Sequence, residues 1–506
     1  MKRHALLFFL SFGILSCFSQ NRFITDSLDV YIKREMQRWD VPGLALAVVK
    51  DGKVVVSKGY GTREAGKTEE QVDENTLFQI ASNSKAFTAT SLALLEYQRR
   101  LNLNDKVSKW MKDFKLKDPL ANDDIRIRDL LSHRLGFETF QSDFLNWGSN
   151  LSRKEIITNL RTLDPVYPFR TQFGYCNAGF LTAGELIPLV TDTTWDDFMR
   201  YHFFIPLGMS HTTTTWSAIN TDTNACKPYT VVNKQLVQVP FVNVDNLGPA
   251  ASINSCVHDL SHWLLMQLDS GRYNGRFIVP EPVLETTRTS NTIIQDQHNP
   301  YFPSRHFQTY GLGWFLEDYE GKKIISHDGG SNGFVTTVCI IPELNLGITV
   351  LTNTDMNYLY ASLRQQLIDA YLGLPYQNQS AYNYQLLSNS WKREADEQKN
   401  EHALVSLNRK PELDLSQYCG TFSNPVYGRI TVKEEKGKLN IYFSHHPLLI
   451  GHLEPLEGND FLCTYSDPEY GVKKIPFSVT TNKANAVTIT INDAIDFMPY
   501  LFTRTN

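Results

Sequence analysis

Residues 78–89 read FQIASNSKAFTA, an apolar run that turns into a predicted helix at Ser82. Positions i and i+3 share one face of a helix, so we expect the amine of Lys85 beside the hydroxyl of Ser82. A serine hydroxyl is a weak nucleophile until a base accepts its proton, and a lysine serves when burial and neighbours lower its pKa. An N-capping serine followed by a solvated lysine would give the same pattern. The stretch therefore predicts a nucleophile only if other parts of the chain support it.

A second segment, FGYCNAGF at residues 173–180, places a phenol and an amide two positions apart. On a loop, Tyr175 and Asn177 can both face one cleft. The phenol can relay protons if the nearby lysine lowers its pKa, and the amide can hydrogen-bond the lysine or a substrate carbonyl. The alternative is a turn that carries a half-buried tyrosine.

A third segment, IISHDGGSNGF at residues 324–334, is an apolar strand that runs into glycines. Gly329 and Gly330 would let a ligand approach the backbone, and the Gly330 N–H could pair with that of Ser82 as an oxyanion hole. We expect His327 to orient substrate or pass a proton, with a pKa of about 6 to 7. The alternative is a histidine that ends a strand before a glycine-rich hairpin.

In this order and spacing, the three segments resemble the motifs of the penicillin-recognising serine enzymes, in the class C β-lactamase branch. Four further segments resemble parts of the same family: residues 41–52, 127–136, 206–209 and 310–314. The resemblance implies an α+β fold in which helices flank an antiparallel sheet beside a helical lobe. It also implies an acyl-enzyme on Ser82, with Lys85 and Tyr175 sharing the acid and base work.

One departure from the family pattern concerns substrate recognition. His327 stands where β-lactamases carry a lysine that helps to hold the carboxylate of a β-lactam, and Asp328 follows it. The resemblance thus implies a substrate-binding set of Asn177, His327, Gly329 and Gly330 that suits neutral or amine-bearing compounds better than β-lactams. Family members with histidine at this position include peptidases, esterases and D-amino-acid hydrolases.

Two competing motifs are weaker. Residues 329–333 satisfy G-x-S-x-G, the nucleophile elbow of α/β-hydrolases, but an elbow needs a helix after Ser331. The β-branched run at residues 334–341 predicts a strand instead. His258 and His262 have a spacing that can hold zinc, but the zincin glutamate is absent and no third ligand is evident. We therefore predict no metal and no cofactor.

Composition sets the broad class of the protein. The chain has 506 residues and a net charge of −5, so it should form more than one domain and nothing indicates a nucleic-acid partner. Residues 1–19 are basic and then apolar, over a length too short to span a bilayer, which predicts a signal peptide cut before Gln20. Lipidation at Cys17 is the rival reading. Either way we expect a periplasmic or secreted protein that contacts membrane only if lipidated.

The chain divides into four predicted parts: a signal peptide at 1–19, a β-lactamase-like catalytic domain at 20–380, a charged linker at 381–411 and a β-rich domain at 412–506. Short strands split by turns characterise the last part, which resembles the lipocalin-like domain that follows many such hydrolases. The six cysteines after Cys17 are scattered and do not demand disulfides. The sequence leaves the oligomeric state open.

These observations predict an exported serine hydrolase that forms an acyl-enzyme on Ser82 and cleaves an amide or ester of a small molecule or peptide. Three alternatives remain open. The enzyme could pass the acyl group to an alcohol or amine, it could be a β-lactamase or DD-peptidase, or the fold could be a non-catalytic binding protein. Intact Ser82, Lys85, Tyr175 and Asn177 argue against the last alternative.

Overall fold

The computed structural model describes residues 22–296 and 302–505, so the predicted signal peptide, with Cys17 and Gln20, lies outside the described residues. The strands in the described parts are, in chain order, β1 (Gly43–Lys50), β2 (Lys53–Gly61), β3 (Phe78–Gln79), β4 (Tyr229–Val232), β5 (Gln235–Gln238), β6 (Asn254–Ser255), β7 (Arg272–Tyr273), β8 (Arg276–Phe277), β9 (Thr292–Asp296), β10 (Phe307–Tyr310), β11 (Phe315–Tyr319), β12 (Lys322–Ser331), β13 (Phe334–Ile341), β14 (Leu346–Thr352), β15 (Gly420–Asn424), β16 (Gly428–Glu435), β17 (Lys438–Phe443), β18 (Ile450–Pro455), β19 (Asp460–Tyr465), β20 (Val472–Thr480), β21 (Lys483–Ile489) and β22 (Tyr500–Arg504).

The α-helices of the same residues are α1 (Leu28–Arg38), α2 (Ser84–Tyr97), α3 (Val107–Trp110), α4 (Pro119–Asp124), α5 (Ile127–Leu131), α6 (Asp143–Asn146), α7 (Arg153–Asn159), α8 (Asn177–Gly184), α9 (Leu186–Thr191), α10 (Trp195–Met199), α11 (Ile205–Leu207), α12 (Trp216–Thr221), α13 (Gly248–Ala251), α14 (Val257–Leu268), α15 (Glu281–Thr287), α16 (Leu359–Leu372), α17 (Gln379–Val405) and α18 (Leu415–Tyr418). Within the part of the chain that the structure describes, no helix has the length and apolarity needed to cross a membrane.

An eight-stranded antiparallel sheet forms the centre of the larger domain, in the order β2-β1-β14-β13-β12-β11-β10-β9. Strand β1 reads GLALAVVK, and seven of its eight residues are buried, because helices cover both faces of the sheet. Alternate side chains of β1 enter two different cores. Leu44, Leu46 and Val48 join the core with α1 and α16, whereas Ala45 and Ala47 join the core of the helical lobe.

The predicted fold class is therefore confirmed: an α+β domain with terminal helices on an antiparallel sheet, beside a helical lobe. Asp51 and Gly52 form the turn between β1 and β2. Helix α16 closes the domain and contacts β13 and β14. These elements follow the sequence because their period of apolar residues matches their burial.

The C-terminal β domain is a closed barrel of the eight strands β15 to β22, which confirms a small all-β unit after the larger domain. Alternating side chains such as Ile430 and Val432 of β16 point inward, and both are 1% exposed. Helix α17, 27 residues long and largely exposed, leads from α16 towards the barrel. A continuous set of buried apolar residues joins the barrel to the helical lobe, so the barrel is docked against the larger domain.

Candidate active site

Ser82 lies in a 3₁₀ turn, Ala81–Asn83, immediately before α2. Helix α2 begins at Ser84, two residues after the start that was predicted at Ser82. Ala81 has a φ of 43°, a left-handed conformation that is uncommon for a residue with a Cβ. The Asn83 side chain holds the turn by donating to the backbone oxygen of Ile80 at 3.0 Å. The structure thus maintains strained backbone directly before the candidate nucleophile, as active sites often do.

Lys85 is fully buried and its amine donates three hydrogen bonds. Its Nζ lies 3.0 Å from Ser82 Oγ, 2.7 Å from Asn177 Oδ1 and 3.0 Å from the Ala250 backbone oxygen. Burial is the main reason that the pKa of Lys85 falls from 10.5 to about 7, although nearby Asp143 opposes the shift. An amine that is uncharged in about half of the molecules at pH 7, at hydrogen-bond distance from a serine hydroxyl, is the arrangement that a general base requires.

Tyr175 packs on the other side of the same amine. Its ring centroid lies 4.6 Å from Lys85 Nζ, and Ser82 lies close enough to its hydroxyl to favour a lower pKa of the phenol. Burial raises the pKa of Tyr175 well above its usual value, and the charges of Asp143 and Asp328 act in the same direction. The expectation that the lysine would lower the pKa of this phenol was wrong, because desolvation outweighs the opposing effect of Ser82. Tyr175 is a protonated hydroxyl here.

Asn177 is the first residue of α8, so the segment predicted as a loop becomes helical at this position. Its Oδ1 accepts from Lys85, and its Nδ2 donates to Asp143 Oδ2 at 2.5 Å. Asp143 is 4% exposed, and burial together with the charge of Asp496 raises its pKa well above the usual range. The sequence analysis did not identify Asp143, because only tertiary structure brings it to Asn177.

His327 faces the site but is locked by two hydrogen bonds. Its Nε2 lies 3.0 Å from the Tyr310 hydroxyl, and its Nδ1 lies 2.7 Å from the Asp328 backbone oxygen. Burial and the nearby Lys85 lower the pKa of His327 to about 3, so the expected titration near 6 to 7 was wrong. The carboxylate of Asp328 forms an ion pair with Arg364 rather than with the ring of His327.

The two glycines of β12 have different surroundings. A Cβ at Gly329 would come within 2.1 Å of the Ile80 backbone oxygen, so glycine is needed there for the strand to approach the turn before the nucleophile. A Cβ at Gly330 would meet nothing within 4 Å. Gly330 instead lines the cavity that contains Ser82. Because Gly329 packs closely against the turn before Ser82, the next residue of β12, Gly330, lies beside the nucleophile.

His133 is a further site residue that sequence reasoning missed. Its ring stacks on Tyr175 with centroids 4.2 Å apart, and its Nδ1 accepts from the Cys176 backbone N–H at 3.0 Å. Burial and the charge of Lys85 lower its pKa well below the usual value. This neutral ring fixes the position of Tyr175. A histidine at the end of a helix gives no sequence signal of such a contact.

The first of the two competing motifs does not form a nucleophile elbow. Ser331 ends β12 and the next strand begins at Phe334, so no helix follows the serine as a nucleophile elbow requires. The rings of His258 and His262 lie 4.6 Å apart, centroid to centroid. The ligand atoms of His258, His211 and Asp259 lie within 4.8 Å of one another. Asp259 Oδ2 accepts from the His211 backbone N–H at 2.8 Å, so hydrogen bonding already explains this contact.

A cavity of about 1230 Å³ opens over Ser82. Three parts of the chain line it: the larger domain, helix α17 and the barrel. The aromatic side chains on its wall are Trp39, Phe140, Trp147, Phe173, Tyr175, Phe315, Tyr360, Tyr384, Trp391 and Tyr465. The candidate nucleophile is therefore reached through a partly roofed space whose walls come from both domains.

Comparison with family models gives two matches. A model described as Beta-lactamase matches residues 28–372, and one described as Domain of unknown function (DUF3471) matches residues 406–504. The first match covers more than half of the chain and includes every residue of the catalytic arrangement described above.

Among similar proteins, "Unguisins hydrolase ungD'" of Aspergillus campestris is 28% identical over 81% of this chain and 78% of its own length. "Protein flp" of Staphylococcus aureus (strain MW2) is also 28% identical, over 66% of this chain and 64% of its own length. The chain thus spans less than two thirds of the second relative.

Two solved structures share the fold at 21% identity. One is an octameric penicillin-binding protein homologue from Pyrococcus abyssi, with a TM-score of 0.61 over 94% of this chain and 99% of that chain. The other is a D-stereospecific amidohydrolase from Streptomyces sp., with a TM-score of 0.53 over 67% of this chain and 98% of that chain.

Proposed function

The chain belongs to the β-lactamase family and is a serine hydrolase, and on that premise we propose that it acts through an acyl-enzyme formed on Ser82. The observation that carries the proposal is the 3.0 Å contact between Ser82 Oγ and an amine, that of Lys85, whose pKa is about 7. At neutral pH roughly half of this amine is uncharged and can accept the serine proton.

The proposed reaction follows from the positions of these groups. Neutral Lys85 accepts the Ser82 proton while Oγ attacks the substrate carbonyl carbon. The backbone N–H groups of Ser82 and Gly330 receive the oxyanion that forms. The leaving amine or alcohol then takes a proton through Lys85 and the hydroxyl of Tyr175, which breaks the scissile bond. Water attacks the acyl-enzyme by the same route in reverse and releases the acid.

The substrate is proposed to be a neutral or amine-bearing amide or ester. A partly roofed cavity of about 1230 Å³ suits a small molecule or a short peptide. Its wall carries the acidic side chains Asp40, Asp143, Asp328, Asp355, Glu394, Asp396 and Glu469 against Lys234 and Lys392. Burial raises the pKa of Asp143 and of Glu469 well above the usual range, so the negative charge comes from the others. Neutral His327 adds no positive charge for a substrate carboxylate. These features favour hydrolysis of such substrates over the β-lactamase and DD-peptidase alternatives.

Hydrolysis is placed before acyl transfer because a relative of comparable length is named a hydrolase. Transfer uses the same acyl-enzyme, and an alcohol or amine then replaces water. Adding a competing amine during turnover separates the two: a hydrolase gives the free acid as its main product, whereas an acyltransferase gives mainly the new amide.

The proposal is tested at Ser82. A fluorophosphonate probe and a penicillin probe are incubated with the protein, and the labelled peptide is identified by mass spectrometry. We expect an adduct on Ser82, and we expect Ser82→Ala to lose turnover of a neutral ester. Ser331→Ala is the matched control, because this serine also lines the cavity and donates to Gln79 at 3.3 Å. Full turnover by Ser82→Ala would refute the acyl-enzyme and favour a binding protein or another nucleophile.

Export also remains a proposal, supported by the basic and then apolar residues 1–19. Sequencing the N-terminus of the mature protein tests it, since cleavage before Gln20 and lipidation at Cys17 leave different first residues. An uncleaved protein that stays in the cytoplasmic fraction would contradict it.

A further inference from the structure

A short segment of the larger domain, residues 138–147, lies between the cavity and the barrel. The Phe144 side chain is fully buried and packs against barrel rings, with its centroid 4.5 Å from that of Tyr427 and 5.7 Å from that of His446. The Trp147 carbonyl accepts from His446 Nε2 at 2.9 Å. The barrel therefore holds the main chain of this segment as well as its side chains.

The carboxylate of Asp496, in the loop before β22, completes the contact. Asp496 is 1% exposed, and its Oδ2 accepts from the Phe144 backbone N–H at 3.2 Å and from the Tyr500 hydroxyl at 2.6 Å. Tyr500 in turn accepts from the Ser142 backbone N–H at 2.9 Å. Ser142 has a φ of 76°, and its own side chain does not cap the following helix α6. Barrel side chains thus satisfy the N–H groups that this strained turn presents.

The residue held between these two N–H groups is Asp143, which belongs to the active site. Asp143 accepts from Asn177, and Asn177 accepts from Lys85. A chain of direct contacts therefore runs from Asp496 of the barrel through the α6 turn to the amine of Lys85. The Asp496 charge also raises the pKa of Asp143, so the barrel sets the charge beside Asn177 as well as its position.

We propose that the barrel is part of the catalytic apparatus, with Asp496 as a positioning residue that holds Asp143 and Asn177 against Lys85. The proposal rests on the proposed function, in which Lys85 is the base. It assigns a role to the matched domain of unknown function: the barrel supplies no reacting group, but the larger domain cannot set the amine of Lys85 correctly without it. Tyr500 shares this role through its contact with Ser142.

Replacing Asp496 by asparagine should change the properties of Lys85 in a definite direction. Without the negative charge of Asp496, Asp143 ionises more readily. An ionised Asp143 stabilises the protonated form of Lys85 and moves its pKa upward. We therefore expect the ascending limb of kcat/KM against pH to move up by about one unit. We also expect kcat at pH 7 to fall by about 10- to 100-fold with little change in KM.

The matched control is Asp493→Asn, three residues earlier in the same loop. Asp493 is mostly exposed and pairs with Lys473 of the barrel at 3.2 Å, and among the described residues it forms no hydrogen bond or ion pair with the 138–147 segment. It should leave kcat, KM and the pH profile unchanged. Because a purely structural defect would lower the melting temperature without moving the pH profile, the profile is the decisive measurement.

Tyr500→Phe serves as a second variant if Asp496→Asn folds poorly, since it removes one hydroxyl and keeps the buried ring. It should lower kcat in the same sense, by about 3- to 10-fold. The proposal is overturned if Asp496→Asn and Tyr500→Phe both give the kcat and pH profile of Asp493→Asn. Ser82→Ala, assayed in parallel, separates the two proposals. Turnover by Ser82→Ala would refute the acyl-enzyme. If Ser82→Ala is inactive and the barrel variants behave like Asp493→Asn, only the proposed role of the barrel is refuted.

Discussion

Raising the pH from about 5.5 to about 8.5 should increase kcat/KM for a neutral ester, with a midpoint near 7, because the proposed base is Lys85. The pKa of this lysine is lowered to about 7, chiefly by burial. A base acts in its unprotonated form, so activity should rise about tenfold per unit at pH values well below the midpoint. Above the midpoint the amine is already neutral and the profile should level off.

The size of the effect follows from the shift in the pKa of Lys85. A lysine with its ordinary pKa of 10.5 would be neutral in only about one molecule in 3,000 at pH 7, whereas one with a pKa of about 7 is neutral in about half. The shift corresponds to about 5 kcal/mol of lost stabilisation of the charged form. This loss opposes folding fully below pH 7 and fades as the pH rises towards 10.5. The burial of Lys85 therefore lowers the stability of the folded protein, and the same burial leaves about half of the amine uncharged at pH 7.

Other ionisable groups near the Lys85 amine contribute to the pH profile only if their pKa values fall within the measured range. The pKa of His327 is about 3, that of His133 lies well below its usual value, and that of Cys176 is about 12, so these groups should not titrate in the measured range. Burial raises the pKa of Asp496 to about 6, so this carboxyl could steepen the acid side of the profile. The Asp496→Asn variant described above removes this titration and also moves the pKa of Lys85, so both the steepness and the midpoint of its profile should change.

The assay measures initial rates of a chromogenic neutral ester across this range, with the Ser82→Ala rate subtracted as the background at each pH. Lys85→Met should lower kcat/KM by at least ~10² and remove the ascending limb. Its melting temperature should stay within a few degrees of the wild type, because losing the buried amine offsets the three lost hydrogen bonds. A flat wild-type profile, or one with its midpoint near 10, would refute the assignment of Lys85 as the base.

Three further predictions concern neighbouring groups. Tyr175→Phe should lower kcat by at least ~10². The double variant with Lys85→Ala should have a kcat little below that of the less active single variant, since both residues act on one proton path. Additive losses in kcat would mean that the two residues act in separate steps. Gly329→Ala should lower the melting temperature, because its Cβ would come within 2.1 Å of a backbone oxygen. Gly330→Ala should keep the wild-type melting temperature and raise KM, since its Cβ would enter the open cavity. Equal melting temperatures for the two variants would contradict the placement of this strand. His327→Gln should keep activity within about tenfold of the wild type and leave the pH profile unchanged, because glutamine can still donate one hydrogen bond and accept another. A changed midpoint would show that the His327 ring titrates.

Much of the fold could be predicted from local sequence. The apolar run that begins at residue 324 predicted β12, and the β-branched run at residues 334–341 predicted β13, because both strands are largely buried. Element ends were less predictable. The nucleophile's helix begins at Ser84 rather than Ser82, and Asn177 opens a helix rather than lying in a loop. Backbone hydrogen bonds decide these ends, and side-chain periodicity does not report them.

The site was predictable where its chemistry is local. Ser82 and Lys85 meet because they lie three residues apart across the 3₁₀ turn and the first turn of α2, a spacing that the sequence gives directly. Tyr175 and His327 were identified as site residues, but the states predicted for them were wrong. Sequence gives the type of ionisable group, whereas burial gives its pKa, and burial was not known until the domains were assembled.

The sequence by itself determined the order of the elements, the register of the serine and lysine, and the resemblance that indicated the family. Only the tertiary structure decided that Asp143 meets Asn177, that His133 stacks on Tyr175, and that Asp496 of the barrel reaches the turn before α6. The physical reason is the separation of these partners along the chain. Asp496 and the Phe144 N–H that it accepts from are 352 residues apart, so no local period links them, and only the packing of the barrel against the larger domain brings them together.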